Sequence, residues 1–184
     1  MHMLLTRPVA ALTFTLLMCV GSVAQAADYE AFFGHYAGRG VANSAGALSE
    51  RDLRVEIRPG DKGKGFLVAW STVTRRADGT SRRKEYQVRF VPTQRTSVFS
   101  SAMRINMFGR AVPLDPLNGD PYVWAVISGR KMTVYAMLVT DDFGYEMQVY
   151  ERTLTKEGLN LRFTSVRDGK PHRDVTAKLV RLPR

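Results

Sequence analysis

Between Tyr122 and Val166 the chain carries four runs rich in Val, Tyr, Thr, Met and Leu, set apart by tight turns. The runs cover 122–128, 132–140, 144–154 and 159–166. The turns are Gly129-Arg130, Asp141-Asp142-Phe143 and Thr155-Lys156-Glu157-Gly158. β-Branched and aromatic side chains suit a pleated, half-buried surface, and Gly and Asp suit turns. The stretch therefore predicts four strands joined as successive hairpins.

The flanking chain has the same period of two. In Arg51 to Arg58, Leu53, Val55 and Ile57 share one face and Asp52, Arg54, Glu56 and Arg58 the other. That is a strand with one wet side. Further strands are expected over 34–41, 66–74, 86–90, 97–102 and 173–182. A polar loop is expected from Asn43 to Ser49, and a turn at Asp168-Gly169-Lys170-Pro171. Asp28 to Phe33 predicts a short helix capped by Asp28. From Met103 to Pro121 the alternation dissolves among prolines and glycines, as in a functional or covering loop at one end of a barrel. The expectation is all-β: an antiparallel up-and-down barrel of about ten strands behind a short N-terminal helix, one domain over 27–184.

The opening Phe32-x-Gly34-x-Tyr36 resembles that of calycins, the superfamily of lipocalins and fatty-acid-binding proteins, although Tyr36 stands where those families usually carry Trp. The resemblance implies an up-and-down barrel that often holds a small apolar ligand.

The first residues predict export. Arg7 precedes an apolar run from Val9 to Val20, and small residues lead to Ala24-Gln25-Ala26. Positive, then apolar, then A-x-A is a signal peptide over 1–26, with cleavage near Ala26. The run is too short to span a bilayer, and no later stretch is long and apolar enough to do so. A lipoprotein reading through Cys19 meets Met18 where a small residue is required. Cys19 is the chain's only cysteine. A periplasmic or secreted mature chain then has no disulfide and no thiolate metal site, and must stand on its core.

The chain's net charge is +10. A positive field favours anionic partners such as lipid or polysaccharide surfaces; nucleic acid is not expected for an exported protein. The densest cations are Arg75, Arg76, Arg82, Arg83 and Lys84, around the Asp78-Gly79 turn. They form either an anion-binding tip or a solvated, aggregation-resistant hairpin.

Counting outward from the central turns gives two faces. One is wholly apolar: Val123, Ala125, Ile127, Met132, Val134, Ala136, Leu138, Met147 and Val149, with Leu138 opposite Met147 and Ala136 opposite Val149. It is expected to be the core. The other carries the candidate ligand-binding residues Trp124, Tyr135, Glu146, Gln148, Tyr150 and Arg152. Turned inward, Glu146, Gln148 and Arg152 would grip the polar end of a ligand and the rings its body. Turned outward, the face is a contact patch. A slip of one residue in any hairpin exchanges the two.

Catalytic signals are sparse. His35 and His172 stand near opposite ends of the mature chain and would approach each other if a barrel closed. No metal-ligand spacing, no nucleophile-elbow motif and no cofactor motif occurs. The expectation is a non-enzymatic binding protein for a small apolar or amphipathic ligand, an anionic envelope surface, or both. The rivals are a structural or interaction protein with a solid core, and an enzyme using the histidines or carboxylates.

Overall fold

The computed structural model describes residues 29–44, 46–75, 79–101, 104–105, 111–112 and 114–183. The leader expected over 1–26, Asp28, Arg76 and much of the segment after Ser101 lie outside the described residues. The strands are β1 (Gly34–Ser44), β2 (Ala47–Pro59), β3 (Phe66–Arg75), β4 (Ser81–Pro92), β5 (Val98–Ser101), β6 (Arg104–Ile105), β7 (Ala111–Val112), β8 (Tyr122–Ser128), β9 (Lys131–Val139), β10 (Tyr145–Leu154), β11 (Gly158–Arg167) and β12 (Lys170–Arg181).

Ten of them close into an antiparallel barrel, each paired with its neighbour in the chain except where the small β6–β7 hairpin intervenes between β5 and β8. Strand β1 closes the ring by pairing β2 on one edge and β12 on the other. This meets the barrel expectation. The expected N-terminal helix is instead a single 3-10 turn, Glu30–Phe32, with no side-chain cap at Tyr29. The expected polar loop from Asn43 to Ser49 is also mostly strand, since β1 and β2 stay paired as far as Ser44 opposite Ala47. Antiparallel pairing satisfies those backbone groups at no hydrophobic cost. Among the described residues, no helix is long and apolar enough to cross a membrane.

An up-and-down barrel places alternate connections at opposite ends. The start of β1, the end of β12, Gly60–Gly65, Thr93–Ser97, Gly129-Arg130 and Thr155–Glu157 lie at one end. The ends of β1, β3, β5, β9 and β11 lie at the other. The 3-10 turn plugs the first end. Phe32 is fully buried, and Tyr29 packs its ring 5.3 Å from Phe66 and 5.5 Å from Phe99. Phe66 in turn stacks on Phe90 at 5.1 Å. Tyr36 Oη donates to the Phe32 carbonyl (2.8 Å), while Arg181 donates to Tyr36 Oη (2.7 Å) and to the Ala31 carbonyl (3.1 Å). This half is packed with buried aromatic rings.

The β9–β10 register differs from expectation. Leu138 faces Glu146 and Ala136 faces Gln148, so Met147 and Val149 lie outside, and Glu146, Gln148, Tyr150 and Arg152 lie inside. The turn is the expected one, Asp141-Asp142-Phe143: the Thr140 amide donates to the Gly144 carbonyl and the Phe143 amide to the Thr140 carbonyl, both at 2.9 Å, with Phe143 at a left-handed φ of 63°. Counted outward from Thr140 opposite Gly144, Leu138 meets Glu146, so the expected pairing is one residue off, and a one-residue slip exchanges the faces. The β8–β9 pairing follows expectation, with Ile127 opposite Met132 and Val123 opposite Ala136.

Strand β1 lies close against β12 where it has no side chains. A Cβ on Gly38 would lie 2.1 Å from the Lys178 carbonyl oxygen, and one on Gly40 2.6 Å from that of Thr176. Neither contact is relieved by a rotamer change. Gly38→Ala is therefore expected to cost about 1–3 kcal/mol, as overpacking does, read as a lower urea midpoint at unchanged slope.

Candidate functional site

The six side chains expected to bind a ligand do not share one face. Trp124 and Tyr135 lie on the outer surface of β8 and β9, stacked on each other at 5.0 Å. Glu146, Gln148, Tyr150 and Arg152 project into the barrel from β10, which runs from the open end to the plugged one. Of these, Tyr150 and Arg152 join side chains from other strands around a cavity of about 90 Å³ in the open half.

The chamber has an aromatic wall. Trp70 stacks on Tyr86 (5.2 Å) and meets Tyr150 across the lumen (5.3 Å), and Tyr150 packs on Phe163 (4.6 Å). Beneath the rings lies Arg152, with no exposed surface. Its guanidinium carbon sits 5.5 Å from the Trp70 ring and 5.6 Å from the Tyr150 ring. None of its three guanidinium nitrogens has a hydrogen-bond partner among the described residues. Burial pulls its pKa down to about 10, which still leaves it cationic at neutral pH. Two π faces offset only part of the several kcal/mol that desolvating a cation costs.

A ladder climbs from the rings toward the mouth. Tyr150 Oη donates to Gln148 Oε1 (2.8 Å), Gln148 Nε2 donates to Glu146 Oε1 (3.0 Å), and Arg173 donates to the same oxygen (2.5 Å). Burial alone would raise the Glu146 carboxyl, but the bonds from Arg173 and Gln148 outweigh it and hold the pKa below the ordinary value. Burial pushes the Tyr150 hydroxyl up to about 12, so it remains a neutral donor. Arg51 and Lys84 complete the mouth. Both have lowered pKa values, first through burial and then through neighbouring cations: Arg173 for Arg51, and Arg82, Arg173 and Arg51 for Lys84.

The basic hairpin is divided by its own pleat. Arg75 pairs with Asp52 at 2.8 Å and Arg83 with Glu85 at 2.6 Å on the outer face. Lys84 lines the chamber, and Arg82 shares its side of β4. His35 and His172 are not brought together. Their strands are neighbours, but the Leu182 amide donates to the His35 carbonyl at the plugged end while His172 begins β12 at the open end.

Sequence reasoning missed Arg51, Trp70, Tyr86, Phe163 and Arg173 as site residues. Arg51 and Arg173 were legible by parity, because each precedes an inward series: Leu53, Val55 and Ile57, or Val175, Ala177 and Leu179.

Replacing a buried ion by an apolar group of similar length is neutral or stabilising by about 1–4 kcal/mol. Arg152→Met is therefore expected to hold or raise the urea midpoint of the unliganded protein; a large loss would contradict the unpaired cation. Glu146 contributes stability above its ordinary pKa of 4.5, lost as pH falls through its lower folded value. Glu146→Gln is expected to flatten the acid limb of stability against pH, measured by urea melts across that range.

No protein-family model matches the sequence, and no curated protein matches it. Among solved structures, the chain is similar to an S-type phycobiliprotein lyase from Guillardia theta, with a TM-score of 0.38 and 9% identity. The alignment covers 87% of this chain and 95% of that one.

Proposed function

We propose that this chain is an exported, non-enzymatic binding protein whose barrel takes an amphipathic ligand with its anionic head on Arg152. The observation that carries this reading is Arg152 itself: fully buried, cationic, unpaired, and turned into a cavity. An anion there supplies the partner the fold withholds, through charge-assisted hydrogen bonds in a low-dielectric site. Trp70, Tyr86, Tyr150 and Phe163 give the apolar contact that holds the body of the ligand. The part too large for the cavity extends through the open end, past the flexible stems of Arg51 and Lys84.

The same chamber is suited to holding rather than to reaction. Arg173 keeps Glu146 ionised and burial keeps Tyr150 protonated, so neither is poised to exchange a proton near neutral pH. The ring-packed half of the barrel gives it rigidity, and the open half gives it a site. The leader read over 1–26 would deliver the protein to the periplasm or outside the cell. There the cations of the open rim would meet anionic ligands or the surfaces that carry them.

The test compares two probes with nearly the same rings. 1-Anilinonaphthalene-8-sulfonate carries a sulfonate, and N-phenyl-1-naphthylamine does not. The sulfonate is expected to bind at one site and more tightly. Arg152→Met is expected to weaken it by about 10–100-fold, the worth of hydrogen bonds to a charge, with little effect on the neutral probe. Equal affinity for the two probes, or an Arg152→Met variant that binds the sulfonate unchanged, overturns the proposal.

A further inference from the structure

We infer that the ligand carries two anionic groups, one bound by Arg152 below the aromatic band and one by Arg51, Lys84 and Arg173 above it. This deepens the reading just given and rests on Arg152 as the first site.

The order of the two centres comes from β10, on which Glu146, Gln148, Tyr150 and Arg152 are alternate residues. Arg173 is anchored on Glu146, and the aromatic band separates it from Arg152: Arg152 lies 5.6 Å from the Tyr150 ring, Tyr150 4.6 Å from Phe163, and Arg173 5.7 Å from the Phe163 ring. The rings of Trp70, Tyr86, Tyr150 and Phe163 occupy the levels between. The two centres are also electrically distinct. Burial and then neighbouring cations lower the proton affinity of Arg51 and Lys84, whereas Arg152 is perturbed by its burial and by Tyr150.

The upper centre is under-compensated. Three cations line one side of the chamber, and the carboxylate bonded to them among the described residues is Glu146, which Arg173 holds. The Nε atoms of Arg51 and Arg173 are buried without a partner among the described residues. Like charges held together over a cavity cost stability until an anion enters. A monoanion satisfies one centre and leaves the other charged. A flat molecule with an acidic group at each end satisfies both, and its rings lie against the aromatic band. The chemical class is a planar aromatic diacid.

The experiment titrates 2-naphthoate and naphthalene-2,6-dicarboxylate into the purified protein by calorimetry. The dicarboxylate is expected to bind at least about tenfold more tightly, the worth of one added charge-assisted contact. The double variant Arg51→Gln, Lys84→Gln should erase that margin, weakening the dicarboxylate about tenfold more than naphthoate. Arg152→Met should weaken both. Circular dichroism melts verify that each variant folds. Equal affinities for the two acids, with Arg152→Met still weakening both, overturn the second centre and leave the first standing. A margin that survives the double variant also overturns it. Failure of both acids to bind the wild-type protein overturns both proposals.

Discussion

Strand β1 hydrogen-bonds β2 along one edge and β12 along the other, and everything inside the molecule follows from that closure. A ring has no edge strand to protect, and it has one lumen. Each strand must send alternate side chains into that lumen, whatever their chemistry. Gly38 and Gly40 make the closure sterically possible, because the backbone of β12 comes too near for a Cβ at either position.

The lumen is used in two ways along its axis. Toward the start of β1 and the end of β12 it is filled by Phe32, Tyr36, Phe66, Phe90 and Phe99, with ring contacts near 5 Å. Toward the hairpin end it holds Arg51, Lys84, Arg152 and Arg173 around a cavity. The two halves depend on each other. An unpaired guanidinium under the rings costs several kcal/mol, and only a well-packed core elsewhere lets the fold tolerate that expense. Destabilisation concentrated in one place, in a form that an anion relieves, is how a binding site differs from a defect.

Much of the architecture was legible because β-structure has a strict period. Leu53, Val55 and Ile57 announce their face whatever they pack against, and Gly129-Arg130 sets the register of β8 and β9. The site was legible only in part. The turn at 141–143 was legible, but the pairing counted from it was one residue off: with Thr140 opposite Gly144, Glu146, Gln148, Tyr150 and Arg152 fall inside. One residue of parity moved four side chains from an outer face to the lumen and left Trp124 and Tyr135 behind on the surface.

The sequence by itself determined the all-β class, the antiparallel order and the alternation of every long strand. These are local: they depend on side-chain period and on turn residues within a few positions. Only the tertiary structure decided which cations meet. Arg51, Lys84, Arg152 and Arg173 come from β2, β4, β10 and β12, and no local rule relates them. They converge because the ring closes with one particular shear, and shear is a property of all ten strands together.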